Sequence, residues 1–301
     1  MIQRQDGQVA VIGLGLMGSR MSVNLLSAGT QLRGYDIDSD RRDEFAKAGG
    51  TVADSPADAV QGCWAALLSL PTSDISREVC SGIGGIAEAG VDDLHVYDTT
   101  TGPPADALEF AAALSQYGIS YSDSTVSGNA EVAGRGELVV MMGGSEESYQ
   151  LGSPIFEAIG RSHHHVGPVG SGARMKLIVN HVLSIHRLAL AEGLVVAELG
   201  DMDLDKTLAI LKDGLAYSKA MDLWGDRMIA GDHDIPFARL KQSHKDSRLI
   251  VQHGLDLGAP VELVSVVLAA LAEGEDEGLA DYDNSAVMEV VRRRGGIGRV
   301  K

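Results

Sequence analysis

Basic side chains are scarce in this sequence: 25 Lys and Arg stand against 42 Asp and Glu, a formal net charge of −17. Nucleic acid is thereby excluded as an expected partner, because phosphates are held by lysine and arginine. The run Arg292-Arg293-Arg294 with Arg299 and Lys301 is the exception, and beside so acidic a remainder it reads as a solvated terminus. A chain of this charge does not draw in anions from a distance, so a site for an anionic substrate must supply its own local positive charge. Aromatics are only 4% of the residues, which leaves the core to Ala, Val, Leu, Ile and Met. Two cysteines, Cys63 and Cys80, are too few for a disulfide framework, and reduced thiols in a cytoplasmic protein are the expectation. No uncharged apolar run is long enough to span a bilayer, and Val9 to Ile12 is far too short for a secretory core. Membrane insertion and export are therefore not expected.

What is present is a globular composition, 45% hydrophobic over 301 residues, enough for two ordinary domains. The first half alternates short β-like runs with helical stretches. Gln8 to Ile12, Gln31 to Tyr35, Trp64 to Leu70, Leu94 to Tyr97, Ile119 to Ser122 and Glu137 to Met142 read as strands. Met17 to Ala28, closed by Gly29, and Arg41 to Ala48 read as helices. Such alternation predicts a doubly wound α/β fold of Rossmann type with a mainly parallel sheet. The rhythm changes after Val169. Ser171 to Leu199 predicts one long helix, with Ser171 as N-cap and Gly200 as its stop. It is apolar nearly all round, which requires cover on most faces, as a central helix or in an oligomer. Further helices are expected at Leu204 to Asp213, Ser218 to Ala230, Phe237 to Leu257 and Val261 to Glu273, with no strand in this half. The expected division is an α/β domain over 1–167 and an all-α domain with the long helix over 168–301.

Gly13, Leu14, Gly15, Leu16, Met17 and Gly18 form a G-x-G-x-x-G string. Alone it is weak, since the chain holds 37 glycines, but here it follows a strand and opens a helix. Gly13 permits the tight turn, Gly15 lets the backbone approach a pyrophosphate, and Gly18 lets helix pack on strand. The helix N-terminus offers unpaired N–H groups to the phosphates. Asp36, at the end of the second strand, suits the adenosine ribose hydroxyls and repels a 2′-phosphate. Arg41 and Arg42, a little further on, soften that preference. NAD is the expected cofactor, with NADP admissible.

Two other stretches carry candidate chemistry. Ser127-Gly128-Asn129 is a small-residue turn that exposes backbone N–H groups and a hydroxyl, a nest suited to a carboxylate; from the residues alone, a plain loop fits as well. Lys176 and Asn180 are spaced i, i+4 and interrupt the apolar pattern of the long helix. Burial lowers a lysine's pKa and fits it for proton transfer. A lysine snorkelling to water near the helix start fits the residues equally. The run His163-His164-His165 invites a metal, but adjacent strand residues point to opposite faces, so no metal site is expected.

These motifs, in this order, resemble the β-hydroxyacid dehydrogenase family, typified by 3-hydroxyisobutyrate dehydrogenase and tartronate semialdehyde reductase. The likeness runs from about Val9 to about Gly258. It rests on the glycine loop continuing into Met21, Asn24 and Gly29; on Leu70-Pro71-Thr72-Ser73; on Asp98-Thr99-Thr100-Thr101; on Ser127-Gly128; and on Gly170 to Lys176 with Asn180. Lys245-Asp246 matches a further pair in the last domain. The resemblance implies that Leu70 and Pro71 line the nicotinamide ribose region and that Thr101 lies near the cofactor. It implies that Ser127 and Gly128 hold the substrate carboxylate, that Lys176 is the acid/base, and that Asn180 orients the substrate. Lys245 would reach cofactor and substrate, supported by Asp246. Asn129 stands where the family usually has a second glycine, which bears on the substrate: its amide would bond an extra oxygen or narrow the pocket.

The activity so implied is hydride transfer between NAD(P) and the hydroxyl-bearing carbon of a small β-hydroxyacid. Two other functions compete. Imine reductases share the architecture but commonly carry Asp or Tyr in place of the lysine. Non-catalytic NAD(P)-binding relatives typically lose it. Retention of Lys176, Asn180 and Lys245 weighs against both. The apolar long helix further predicts a homodimer or homotetramer.

Overall fold

A computed structural model describes residues 7–298; Arg299 and Lys301 of the basic tail lie outside the described residues. The chain divides into two compact units, Met1–Lys176 and Leu177–Lys301.

The first unit is built on one sheet. Its strands are β1 (Gln8–Ile12), β2 (Leu32–Tyr35), β3 (Thr51–Val52), β4 (Cys63–Leu68), β5 (His95–Asp98), β6 (Ser120–Ser127), β7 (Leu138–Gly143) and β8 (Gly160–Gly167). The helices between them are α1 (Leu16–Ser27), α2 (Ser39–Lys47), α3 (Pro56–Ala59), α4 (Ser73–Ser81), α5 (Pro104–Ser115), α6 (Ala130–Gly134) and α7 (Glu146–Ile159). The strand order is β3-β2-β1-β4-β5-β6-β7-β8. The first six strands are parallel, as expected of a doubly wound sheet. The order reverses between β1 and β4, the switch point where such sheets take their ligands. Successive residues of β1 and β4 feed two cores: Ala10, Ile12, Ala66 and Leu68 pack on one face, Val9, Val11, Ala65 and Leu67 on the other. Burial on both faces explains why these strands are continuous apolar runs without alternation.

The last two strands turn round. β7 pairs antiparallel to β6, and β8 parallel to β7, so both run against the first six. This return lets the next helix, α8 (Ser171–Leu199), begin beside the early part of β6 and advance along it. Three contacts mark its course. The Asp123 carboxylate accepts from Gly170 N (2.8 Å) and Ala173 N (2.7 Å). Thr125 Oγ1 donates to Gly172 O (2.8 Å). Lys176 Nζ donates to Val126 O (2.7 Å), one residue before the end of β6. The first unit therefore includes the opening turns of α8 and passes beyond residue 167.

The expected N-cap of this helix is corrected. Ser171 is its first helical residue, and the first i to i−4 bond runs from Arg174 N to Gly170 O. The end of α8 that lacks its own acceptors is served by Asp123, 47 residues earlier than Gly170. The two-residue β3 and β8 were not among the runs expected to form the sheet, although the histidine run that β8 carries was weighed as extended. Both are poor in apolar residues, so period gave no signal for them.

The second unit is helical: the remainder of α8, then α9 (Leu204–Asp213), α10 (Lys219–Ala230), α11 (Leu240–Asp256), α12 (Glu262–Asp276) and α13 (Val287–Arg294). Leu190, Leu194, Trp224, Met228, Leu240, Leu271 and Val290 are part of its main core. α11 starts three residues later than the Phe237 expected from the apolar pattern. Phe237 N donates to the buried Asp283 carboxylate (2.8 Å), and Arg239 makes an antiparallel bridge to Asp283, which holds this stretch extended. The all-round burial expected of α8 is only partly met. Leu177, Leu188, Leu190 and Leu194 are buried, whereas Ile178, Val182 and Val196 are 56%, 48% and 71% exposed. Among the described residues, no helix is long and apolar enough to cross a membrane.

Candidate active site

The C-terminal ends of the parallel strands gather the expected residues of the first unit at one edge of the sheet. The glycine loop leaves β1 there. Gly13 has a left-handed φ of +93°, and a side chain on it would meet Ser69 O at 2.3 Å. A Cβ on Gly18 would lie 1.9 Å from Gly13 O, so only glycine lets α1 pack this close. Gly15 is different: the nearest atom to a Cβ there is Arg41 Nη1 at 3.5 Å, and the glycine opens onto free space. Gly15 also sits at the N-cap of α1 with no side-chain hydrogen bond to the helix start. An open approach at an uncapped helix N-terminus is what a pyrophosphate needs. The residues present therefore fit a dinucleotide.

Asp36, buried at the end of β2, is held from both sides. Leu14 N donates to its Oδ2 (2.7 Å) and Asp38 N to its Oδ1 (2.9 Å). Arg41 Nη1 lies 3.5 Å from the same Oδ2, and Arg42 Nη1 donates to the Asp36 carbonyl (2.6 Å). The Arg41 guanidinium thus lies beside the carboxylate, while Arg42 grips the backbone of the same residue. Leu70 and Pro71 follow β4; Leu70 N donates to Thr100 Oγ1 (3.1 Å), tying the β4 and β5 ends together. Asp98 anchors that second end. It accepts from Thr100 N (2.8 Å) and Tyr121 OH (3.1 Å), and burial raises its pKa against the pull of the Thr100, Ser76 and Tyr121 bonds. Thr101 follows directly.

Ser127 ends β6, and Gly128 and Asn129 follow it. Asn129 Oδ1 accepts from Val132 N (2.9 Å), making it the N-cap of α6. Its amide oxygen thus has a structural task that the sequence did not reveal. The Lys176 amine reaches the same place, since its acceptor Val126 O belongs to the residue before Ser127. Ser127, Gly128 and Lys176 are thus brought together within the first unit. Asp123, which fixes the helix that carries Lys176, gave no signal in the sequence. Burial pushes its carboxyl up to about 6, opposed by the N–H bonds from Ala173 and Gly170.

The second unit assembles a different group. Asn180 Nδ2 donates to Asp246 Oδ2 (2.9 Å), and Lys245 Nζ lies 3.2 Å from Asp246 Oδ1. One carboxylate so joins all three expected residues of this unit, across α8 and α11. The two thiols are free and buried, and burial raises Cys63 to about 11 and Cys80 well above its ordinary value. The histidine run is absorbed structurally: His165 Nε2 pairs with Gly144 O (2.8 Å), and Tyr149 stacks on His165. Among the described residues, no group of three His, Cys, Asp or Glu is arranged to hold a metal.

Comparison with known proteins bears on this geometry. Residues 8–167 match the NAD binding domain of 6-phosphogluconate dehydrogenase, and residues 170–291 match the NAD-binding domain of NADP-dependent 3-hydroxyisobutyrate dehydrogenase. Glyoxylate/succinic semialdehyde reductase 1 of Arabidopsis thaliana is 30% identical over 95% of this chain and 98% of its own length. The chain belongs to the β-hydroxyacid dehydrogenase family. The 2-(hydroxymethyl)glutarate dehydrogenase of Eubacterium barkeri is 28% identical over 96% of each chain. A crystal structure of 3-hydroxyisobutyrate dehydrogenase from Salmonella typhimurium superposes with a TM-score of 0.87 at 25% identity, covering 95% of this chain and all of the other. The protein is accordingly an NAD(P)-dependent oxidoreductase acting on CH–OH donors.

Proposed function

We propose that this dehydrogenase interconverts a small β-hydroxyacid and its carbonyl form, with Lys176 as the general acid/base. The observation that carries the proposal is the Lys176 amine, 2.7 Å from Val126 O and so beside the Ser127-Gly128 turn. Bound NAD(P) supplies the hydride acceptor, or the donor in the reverse direction. The chain's own residues do the rest. Ser127 and Gly128 take the substrate carboxylate through the hydroxyl and the turn N–H groups. That places the substrate hydroxyl within reach of Lys176, which accepts its proton as the alcohol is oxidised and returns it on reduction. Asn180, one helical turn beyond Lys176, orients the substrate, and Lys245 contacts cofactor and substrate with Asp246 fixing it. Gly13 to Gly18, Leu70, Pro71 and Thr101 form the cofactor's bed. The substrates named for the two relatives, succinic semialdehyde and 2-(hydroxymethyl)glutarate, support a short carboxylate-bearing substrate class.

Asp36 supports NAD as the preferred cofactor, with Arg41 and Arg42 admitting NADP. The functional division we assign is a cofactor domain over 1–167 and a substrate and oligomerisation domain over 168–301. The exposed Ile178, Val182 and Val196 support a second copy of the chain packing on α8; a monomer by light scattering would overturn that.

The test is reduction of NAD⁺ and NADP⁺ by wild type and Lys176→Ala against 3-hydroxyisobutyrate, glycerate, threonate and 4-hydroxybutyrate. Turnover of one acid should fall by at least ~100-fold in the variant. Activity that survives the substitution removes Lys176 from the mechanism.

A further inference from the structure

Thr125 is a fully buried polar side chain on β6 that the proposed reaction does not use. Its Oγ1 donates to Gly172 O (2.8 Å) and lies 3.3 Å from Met141 O on β7. Gly172 O has a second task. In an α-helix the carbonyl of residue i accepts from the N–H of residue i+4, so Gly172 O is also the acceptor of the Lys176 N–H. Thr125 therefore bonds the very carbonyl that closes the turn bearing the lysine. The Lys176 side chain returns to the same strand, where its amine donates to Val126 O (2.7 Å). Consecutive residues of β6 thus hold Lys176 at both ends, its backbone by way of Gly172 O and its amine directly.

The seat of this turn leaves little freedom. A Cβ on Gly172 would lie 2.1 Å from Asp123 O and 2.7 Å from Met141 O, and one on Gly143 would lie 2.7 Å from Gly172 N. Helix and sheet backbones therefore meet with no side chain between them that a rotamer change could adjust. Helical N–H groups point to the start of a helix and carbonyls to its end. Asp123, which takes the Gly170 and Ala173 N–H groups, and Thr125, which binds the Gly172 carbonyl, hold the turn from opposite directions along its axis. The strand itself is open where the lysine lands. β5 ends at Asp98, whose register partner is Asp123, so from Ser124 onward β6 pairs only with β7. Val126 O belongs to that stretch, and Ser127 ends the strand. The height of the amine along β6, and with it the distance to the Ser127 turn, is set by where this pair of side chains stops the helix.

We propose that Thr125 is a positioning residue for the reaction: its hydroxyl, acting through Gly172 O, fixes the Lys176 amine level with the Ser127 turn. The alignment of proton acceptor and substrate carboxylate is then built within the first unit alone. This rests on the proposed role of Lys176 as the acid/base. Placement of this kind matters to the chemical step, since a displacement of about 1 Å costs on the order of 100-fold in rate. Removing the Thr125 hydroxyl leaves Gly172 O its helical partner, so no buried carbonyl is orphaned and the fold is kept. The glycine loop follows β1, away from this seat, so cofactor affinity does not depend on it.

The experiment compares wild type with Thr125→Val, which is close in shape but has no hydroxyl, and Thr125→Ser, which keeps it. Turnover is read with whichever of 3-hydroxyisobutyrate, glycerate, threonate and 4-hydroxybutyrate wild type oxidises best, and NAD⁺ binding is read by calorimetry. The amine itself is read by trace acylation with acetic anhydride and mass spectrometry of the Lys176 peptide, relative to the other lysines. Thr125→Val should lower kcat at least ~10-fold. It should change the acylation rate of Lys176 by at least ~5-fold, the worth of about one hydrogen bond, and leave the Kd for NAD⁺ unchanged. Thr125→Ser should restore most of both. An unchanged acylation rate in Thr125→Val overturns the proposal, as does an unchanged kcat in the active enzyme. So does a loss of NAD⁺ affinity in step with kcat, which would mean that the whole unit is disturbed. If wild type oxidises no hydroxyacid, or Lys176→Ala stays active, the proposed reaction fails, while the acylation rate still decides whether Thr125 places the amine. If Thr125→Val does not fold, Thr125→Cys, similar in size with only a weak donor, is read in its place and by the same outcomes.

Discussion

Replacing Asp123 by Asn tests the account of how α8 is started. The wild-type carboxylate is 3% exposed and accepts two short bonds, from Gly170 N and Ala173 N. An Asn amide keeps one acceptor oxygen and turns an NH2 group towards the other donor, leaving one buried N–H unsatisfied at a cost of roughly 1–3 kcal/mol at any pH. A second effect opposes this. The Asp123 carboxyl is raised from 3.8 to about 6, chiefly by burial, so the folded state holds its proton to higher pH than the unfolded chain does. Wild type therefore loses stability as pH rises from about 4 to about 6 and levels off above that, by about 3 kcal/mol in total. Asn does not titrate. The stability of Asp123→Asn relative to wild type should thus improve by about 1.4 kcal/mol between pH 5 and pH 7.5. At pH 5 the variant should be clearly the weaker protein, and near neutrality the two should approach each other. Asp98, also raised by burial, contributes to both proteins and largely cancels in the difference. Urea unfolding at four pH values between 5 and 7.5 reads this directly. A difference that stays constant across the range would refute the reasoning, since it would mean the charge is not the burden that its burial implies.

Gly18→Ala should abolish cofactor binding by calorimetry and lower the unfolding midpoint, because its methyl would sit 1.9 Å from Gly13 O and neither backbone segment can yield without opening the loop. An unchanged dissociation constant for NAD⁺ would sink that account. Asn129→Ala removes the cap of α6 and should cost about 1 kcal/mol in urea unfolding. Substitution by Gly should cost only a few tenths of that unit, so a large loss with Gly would point to a task for Asn129 beyond capping.

Legibility followed the range of the interactions. The glycine loop could be read because each of its constraints acts within a few residues of the string, and β1 is bounded where its apolar run is bounded. Asp36 could be read because a carboxylate at that strand end has a geometric meaning in this fold. The start of α8 could not. Ser171 looks like a cap in sequence, but the acceptor that serves the helix comes from a strand 47 residues before Gly170. The N-cap role of Asn129 was hidden by the shortness of α6, five residues with no helical period to detect. The late start of α11 was invisible for the same reason as the cap of α8: Asp283, which holds Phe237 extended, lies 46 residues downstream.

The reversal of β7 and β8 has a consequence for modularity. A sheet that ended after six parallel strands would send its next helix down from the far edge. The return through two reversed strands instead delivers Lys176 to the edge where the glycine loop opens. The lysine is therefore built into the nucleotide-binding unit, although the helix that bears it continues into the other. A chimera joined at residue 167 would leave Asp123 and Thr125 facing a foreign helix, and since a Cβ at Gly172 would lie 2.1 Å from Asp123 O, any residue but glycine there would push the backbone donors at Gly170 and Ala173 away from the buried carboxylate. Recombination of these two halves between relatives should succeed only where the donor of the helix is matched to the donor of β6, so the two segments are inherited as a pair.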